Sequence, residues 1–221
     1  MRKFLILLTL CVLLTSVALA TSKHITEPLE KITFIHYKNG KVEMVTPNKV
    51  QTCYKLMGIK WKYFPINYVI NPVVDANAII ASTVEWDSHT SRDLFGNYTI
   101  DESANFDDSP DGRNEYSYGN YPQSGVIAVT RVWYTRRSKE IVEYDVMFDS
   151  DFLWGDATNN PLVMDWQNIA THETGHGLGL ADVYNSACSE VTMYGYSDYG
   201  ETIKRTLEPA DITGLQRLYG I

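Results

Sequence analysis

Residues 172–182 read His172-Glu173-Thr174-Gly175-His176-Gly177-Leu178-Gly179-Leu180-Ala181-Asp182, and this window constrains the chain more than any other. On a helix, residues four apart lie one above the other on the same face. His172 and His176 can therefore aim two imidazoles at one metal ion, an arrangement that suits zinc. Glu173 stands beside the first imidazole, where its carboxylate can reach a water at the same ion. Gly179 ends the helix, because glycine turns left-handed without steric cost. The turn then brings Asp182 back as a third ligand. Three protein ligands and one open position are the pattern of a catalytic rather than a structural zinc. A shuffled chain of this composition would contain HExxH about 0.006 times, so surface histidines on an ordinary helix account poorly for the window.

Composition agrees with a globular host for such a site. The chain has 221 residues, 44% of them hydrophobic and 21% charged, which excludes a disordered tail, a collagen-like fibre and a multi-pass membrane protein. A net charge of −8 repels phosphate backbones and argues against a nucleic-acid partner. Arg2 and Lys3, the apolar run from Phe4 to Val17, and Ala18-Leu19-Ala20 read as a signal peptide over residues 1–20. The run is short for a membrane span, so the expected product is a secreted, extracellular protein without stable membrane association; an uncleaved anchor is the alternative. Cys11 leaves with that segment. Cys53 and Cys188 remain, and an even pair in an oxidising compartment is expected to form a disulfide, with two free thiols as the alternative. Asn97-Tyr98-Thr99 is a glycosylation sequon that an exported chain could use.

Residues 21–52 read as an accessory segment or short pro-region, and residues 53–221 as the catalytic domain. Within the first, Lys31 to Val45 reads as a hairpin turning at Asn39-Gly40. Trp61 to Asn71 holds an alternating strand with Ile66, Tyr68 and Ile70 on one face. Asn71-Pro72 signals a helix over Val73 to Asp87, with Ala76, Ile80 and Val84 as its apolar stripe. Ser88 to Gln123, rich in Asn, Asp, Ser, Gly and Tyr, reads as a long surface loop region. Two strands follow, Val126 to Tyr134 and Ile141 to Phe148. Asp165 caps a second helix through His172, and Pro209 to Tyr219 forms the last, with Ile212, Leu215, Leu218 and Tyr219 at helical spacing.

Ten residues beyond Asp182 begins Thr192-Met193-Tyr194-Gly195-Tyr196. With this segment the chain resembles the metzincin zinc proteases, and among them the matrixins, whose HExxHxxGxx(H/D) motif precedes a methionine turn beneath the zinc. The likeness runs over about residues 53–221. Gly125-Val126-Ile127-Ala128-Val129 is similar to the matrixin edge strand, Asp145 to Asp151 to its ion-binding strand and loop, and Asp211 to Gly220 to its C-terminal helix. The resemblance implies an α/β zincin fold: a twisted, mixed, largely parallel sheet with the zinc helix, a second packed helix and a C-terminal helix. It also implies a monomeric zinc endopeptidase acting on peptides or proteins bound as an extended strand along Val126, Ile127, Ala128 and Val129. Side-chain preference would come from a pocket bounded by Met193, Tyr194, Gly195 and Tyr196. Glu173 would act as general base for one catalytic zinc held by His172, His176 and Asp182.

Departures from the family pattern carry their own expectations. Asp182 stands where matrixins commonly have a third His; the snapalysin-like proteases have Asp there. Met147 and Phe152 replace a structural-zinc His and an acidic ion ligand, which argues against a structural zinc. Asp149 and Asp151 are candidate calcium ligands, the alternative being a solvated acidic turn. Cys53 lacks a Pro-Arg-Cys-Gly context and reads as structural. Gly195 sits where astacin-like members place a tyrosine ligand, so Tyr196 is not given that role. Two alternatives stay open: a zinc peptidase whose third ligand is Glu190 or Glu201, and a secreted binding module that kept the fold without catalysis.

Overall fold

The computed structural model describes residues 27–38 and 52–221. The signal-peptide expectation, the turn at Asn39-Gly40 and the second arm of the predicted hairpin lie outside those residues. The elements in chain order are β1 (Leu29–Lys38), β2 (Lys55–Leu56), β3 (Ile66–Ile70), α1 (Ala76–Asp87), β4 (Phe95–Ile100), β5 (Glu115–Gly119), β6 (Val126–Thr135) and β7 (Ile141–Asp149). They continue with β8 (Trp154–Gly155), β9 (Met164–Asp165), α2 (Trp166–Gly177), β10 (Leu180–Ala181), β11 (Tyr196–Ser197) and α3 (Pro209–Tyr219).

One sheet organises the molecule, in the order β11-β1-β6-β7-β5-β3-β4. Only the β1–β6 and β6–β7 pairings are antiparallel; the rest are parallel. The expected α/β class with a mixed, mostly parallel sheet and three helices is what is found. Parallel neighbours need a crossover, and α1 supplies it between β3 and β4. The helices α1 and α2 pack together, with the Trp86 indole donating to the Thr171 carbonyl at 2.9 Å. Trp86, Tyr116, Tyr144, Phe148, Ile169 and Leu215 are fully or almost fully buried around that junction.

Three local expectations are corrected. Helix α1 starts at Ala76 rather than Val73, because Asn71 closes a turn onto Val73 and Val74, and the Asp75 carboxylate then accepts from the Asn77 and Ala78 amides as the true N-cap. Its inner face is Ala78, Ile79, Ser82, Thr83 and Trp86, while Val84 is 60% exposed. The polar members of that face are satisfied in place: Ser82 donates to the Ala78 carbonyl, and Thr83 bonds the Tyr68 hydroxyl. An apolar stripe was therefore the wrong guide. Ser88 to Gln123 is not all loop, for it contains β4 and the interior strand β5. Strand β5 is Glu115-Tyr116-Ser117-Tyr118-Gly119, and tertiary partners pay for its polarity: Ser117 Oγ donates to the Val146 carbonyl, and Tyr116 Oη bonds Tyr144 and Thr174. Asn97 lies exposed on the edge strand β4.

Candidate active site

Helix α2 begins at the Asp165 cap, whose carboxylate accepts from the Asn168 amide at 2.8 Å. It ends two residues before Gly179, which sits at φ +102° where a Cβ would meet the Ile59 carbonyl at 2.5 Å. The chain there needs glycine on both counts. The turn carries residues 180–182 back under the helix, and β10 pairs with β2 to hold that return. Beside the pairing, Cys53 and Cys188 form the expected disulfide, with Cα atoms 5.4 Å apart.

The return places Asp182 Oδ1 3.2 Å from His172 Nε2 and 3.4 Å from His176 Nε2. Ligands about 2.0–2.1 Å from a tetrahedral zinc stand roughly 3.3 Å from one another. The other nitrogens are already committed: His172 Nδ1 to the Thr192 carbonyl at 2.7 Å and His176 Nδ1 to the Leu180 carbonyl at 2.8 Å. A carbonyl only accepts, so both Nδ1 atoms carry the proton and both Nε2 lone pairs face the gap. His172 Nε2 and Asp182 Oδ1 are buried with no hydrogen-bond partner. Orphaned buried atoms of this kind call for an occupant, and a zinc-sized cation fits the donor set. The Asp182 carboxylate is itself buried at this gap. Its second oxygen accepts from the Tyr184 hydroxyl at 3.0 Å.

Glu173 is fully buried, and desolvation raises its carboxyl above the ordinary range. Both oxygens are engaged, one with Thr130 Oγ1 at 2.5 Å and the other with His36 Nδ1 at 2.9 Å. Burial pushes His36 down to about 3, so its ring is neutral and gives its one N–H to the carboxylate.

Met193 is completely buried beneath the helix. A Cβ at Gly175 would meet its sulfur at 2.3 Å and the Trp86 ring at 2.7 Å, so this helical glycine is where the methionine fits. The Met193 turn is held from α3: Asp211 accepts from the Thr192 and Met193 amides at 2.8 and 3.1 Å. Gly195 leaves room for the Tyr184 ring, which a Cβ there would meet at 2.4 Å. Tyr194 and Tyr196, expected to bound a side-chain pocket, pack edge to face.

The sequence reading brought His172, Glu173, His176, Asp182 and Met193 to one place, and the structure keeps them together. Val126, Ile127, Ala128 and Val129 lie on β6 as expected, but the free edge of that strand is taken by β1. Asp149 and Asp151 do not gather with a third metal-ligating side chain among the described residues; Asp149 instead accepts from the Tyr121 and Asp151 amides. Glu201 is engaged by Lys204, Ser197 and Asn168. His36, Thr130, Tyr184 and Asp211 were not singled out as site residues, and nothing in their local sequence marks them.

The family model described as Matrixin matches residues 128–220. The C-terminal part of this chain is matrixin-like. Human matrilysin is 36% identical over 76 residues, covering 34% of this chain and 27% of matrilysin. Metalloendoproteinase 1 of Glycine max is 39% identical over 79 residues, covering 34% of this chain and 25% of the relative. Mouse stromelysin-1 is 38% identical over 78 residues, 34% of this chain and 15% of the relative. The chain thus matches about a quarter or less of these relatives' length. The matrixin-like stretch includes β7, α2, the Met193 turn and α3, which are the elements that assemble the site.

Proposed function

We propose that this chain is a secreted zinc-dependent endopeptidase. The observation that carries the reading is the trio His172 Nε2, His176 Nε2 and Asp182 Oδ1, gathered within 4.8 Å of one another, with the carboxylate oxygen 3.2 and 3.4 Å from the two nitrogens, beside a buried glutamate. Bound zinc would polarise the scissile carbonyl and acidify a water. His172, His176 and Asp182 would hold the ion. Glu173 takes the proton of the attacking water and returns it to the leaving amine, a task suited to a carboxyl whose burial lifts its proton affinity. Tyr184 orients Asp182, and Thr130 orients Glu173. The substrate lies extended along Val126 to Val129, held mainly by backbone hydrogen bonds, with Tyr194, Gly195 and Tyr196 bounding a side-chain pocket.

Export is supported by the Arg2-Lys3 start with its apolar run and Ala18-Leu19-Ala20, and by the Cys53–Cys188 bridge. Among the described residues no helix is long and apolar enough to cross a membrane. The test is metal content and hydrolysis of an unselective peptide mixture, with and without a chelator. One zinc per chain and chelator-sensitive cleavage are expected. Metal-free protein that cleaves equally well would overturn the reading.

A further inference from the structure

At the end of the sheet opposite β11 runs β4, whose outer edge is unpaired among the described residues. Its residues, Phe95-Gly96-Asn97-Tyr98-Thr99-Ile100, include no charged side chain and no proline. Tyr98 and Ile100 are 44% and 50% exposed. An open, uncharged strand of this kind is a template for pairing with another chain. Folded proteins guard such edges with charge, proline, a bulge or a cover.

Here the guard is built around Asn97. Ile66 pairs with Phe95 and Tyr68 with Tyr98, so Gly96 and Asn97 together face the single residue Asn67. This one-residue shift is a β-bulge, which interrupts the ladder and re-aims a side chain. Asn67 Oδ1 accepts from the Asn97 amide at 2.9 Å, and a Cβ at Gly96 would meet that same oxygen at 2.4 Å. The bulge therefore needs glycine before Asn97. Phe95 and Tyr98, on either side of it, both pack on the Tyr68 ring. Asn97 between them is exposed, and its carboxamide has no hydrogen-bond partner among the described residues. Beside it opens a cleft lined by Phe64, Pro65, Arg92 and Phe95.

Thr99 stands two residues after Asn97, so the bulged asparagine is the acceptor position of an Asn-X-Thr sequon. Resting on the export reading above, we propose that Asn97 carries an N-linked oligosaccharide and that this glycan covers the free edge of β4. The donor class is an oligosaccharide joined to a lipid diphosphate. Asn97 Nδ2 bonds to C1 of the first sugar as the C1–O bond to the diphosphate breaks. The lipid diphosphate leaves, Nδ2 gives up one proton, and nothing is oxidised or reduced. The glycan projects from the bulge, and its bulk keeps a second strand from the unpaired backbone groups. Three strands separate β4 from β6, so the cover lies away from the proposed zinc ligands.

The test uses the full chain with residues 1–20 in place, secreted by a host cell that N-glycosylates its exported proteins. Intact mass and peptide maps are read before and after treatment with a peptide N-glycosidase. Wild type should exceed its sequence mass by one oligosaccharide, which the treatment removes. Asn97→Gln and Thr99→Ala should lack that mass, whereas Thr99→Ser should keep it. Sedimentation then compares the glycoprotein, the same protein stripped after folding, and Asn97→Gln, all at one concentration. The glycoprotein should run as a monomer, and both bare forms should shift to dimers or larger species. The stripped form stands in if Asn97→Gln fails to fold. Tyr98→Lys added to Asn97→Gln should restore the monomer by placing charge on the edge. Secreted protein that has lost residues 1–20 yet carries a bare Asn97 would overturn the inference alone. A chain retained in the cell with residues 1–20 attached would overturn the export reading with it. A glycan whose removal leaves the monomer unchanged would overturn its role as a cover.

Discussion

His172 and His176 each give one nitrogen to a backbone carbonyl and leave the other toward Asp182, so tautomer and ring orientation are already settled for the proposed zinc. Tyr184 does the same for Asp182. Tyr184→Phe should therefore weaken zinc affinity by about tenfold or more while the fold persists, read by competition with a chelating dye; undiminished affinity would remove Tyr184 from the site. Asp182→Ala should lose zinc outright, whereas Asp182→His should still bind it. Glu173→Gln should keep zinc and fold yet lose about a hundredfold or more of turnover, because an amide cannot accept the proton. Turnover near wild type in that variant would end its assignment as base. The four residues of the zinc window were legible because a helical repeat and a glycine turn are local facts. His36 and Thr130 were not, since they reach Glu173 from β1 and β6; Tyr184 is only two positions from Asp182, but no local pattern marks its hydroxyl as turning back to that carboxylate.

At the scale of elements, the Met193 turn depends on α3. The Asp211 carboxylate is buried, and burial raises it, yet it accepts from the Thr192, Met193 and Glu208 amides. Removing it leaves buried donors unpaired, each costing about 1–3 kcal/mol. Asp211→Ala should lower the melting temperature and loosen zinc together, as scanning calorimetry and metal titration would show. A variant with wild-type stability would mean that the turn is held from elsewhere. Helix α3 was read with its bounds intact, Pro209 to Tyr219, because Pro209 at its start and Gly220 at its end punctuate a clear apolar stripe. Helix α1 was misread in start and face for the opposite reason: Ser82 and Thr83 are inward-facing and satisfied by partners the local pattern does not contain.

Over the whole molecule, the Cys53–Cys188 bridge spans a sequence separation of 135 and ties the chain just before β2 to the segment between Asp182 and Met193. In the chain-entropy account a loop of that length is worth roughly 4–5 kcal/mol, mostly by restricting the unfolded chain. Reduction should lower the melting temperature markedly while sparing activity at moderate temperature. Equal losses of both would show that the bridge shapes the site itself. A second property belongs to β5 and β7 together. Burial, then the neighbouring carboxylates, lifts Asp145 to about 9, and burial chiefly lifts Glu143 to about 7. The folded chain keeps these protons where the unfolded chain has released them, so stability falls as pH rises. At saturating zinc, urea midpoints should decline between about pH 6 and 9, and Asp145→Asn should flatten the decline; an unchanged slope would clear Asp145.

What the sequence determined by itself is the set of residues proposed for the chemistry and their local frame. A zinc-type helix, its glycine turn, the third carboxylate and the methionine lie within about two dozen residues, and their geometry follows from helical period and one left-handed residue. The α/β class and both long antiparallel strands could also be read, because β6 and β7 carry their apolar runs in the open. Only the tertiary structure decided where the polar strand β5 goes, which face of α1 is buried and what lies on the edge of β6. Sheet pairing joins residues nearly a hundred positions apart, as Ile35 meets Val129, and no periodicity in either strand encodes the partner. Glu173 is recognisable from its neighbours in sequence, but the His36 that holds it comes from 137 positions away, and only the fold brings the two together.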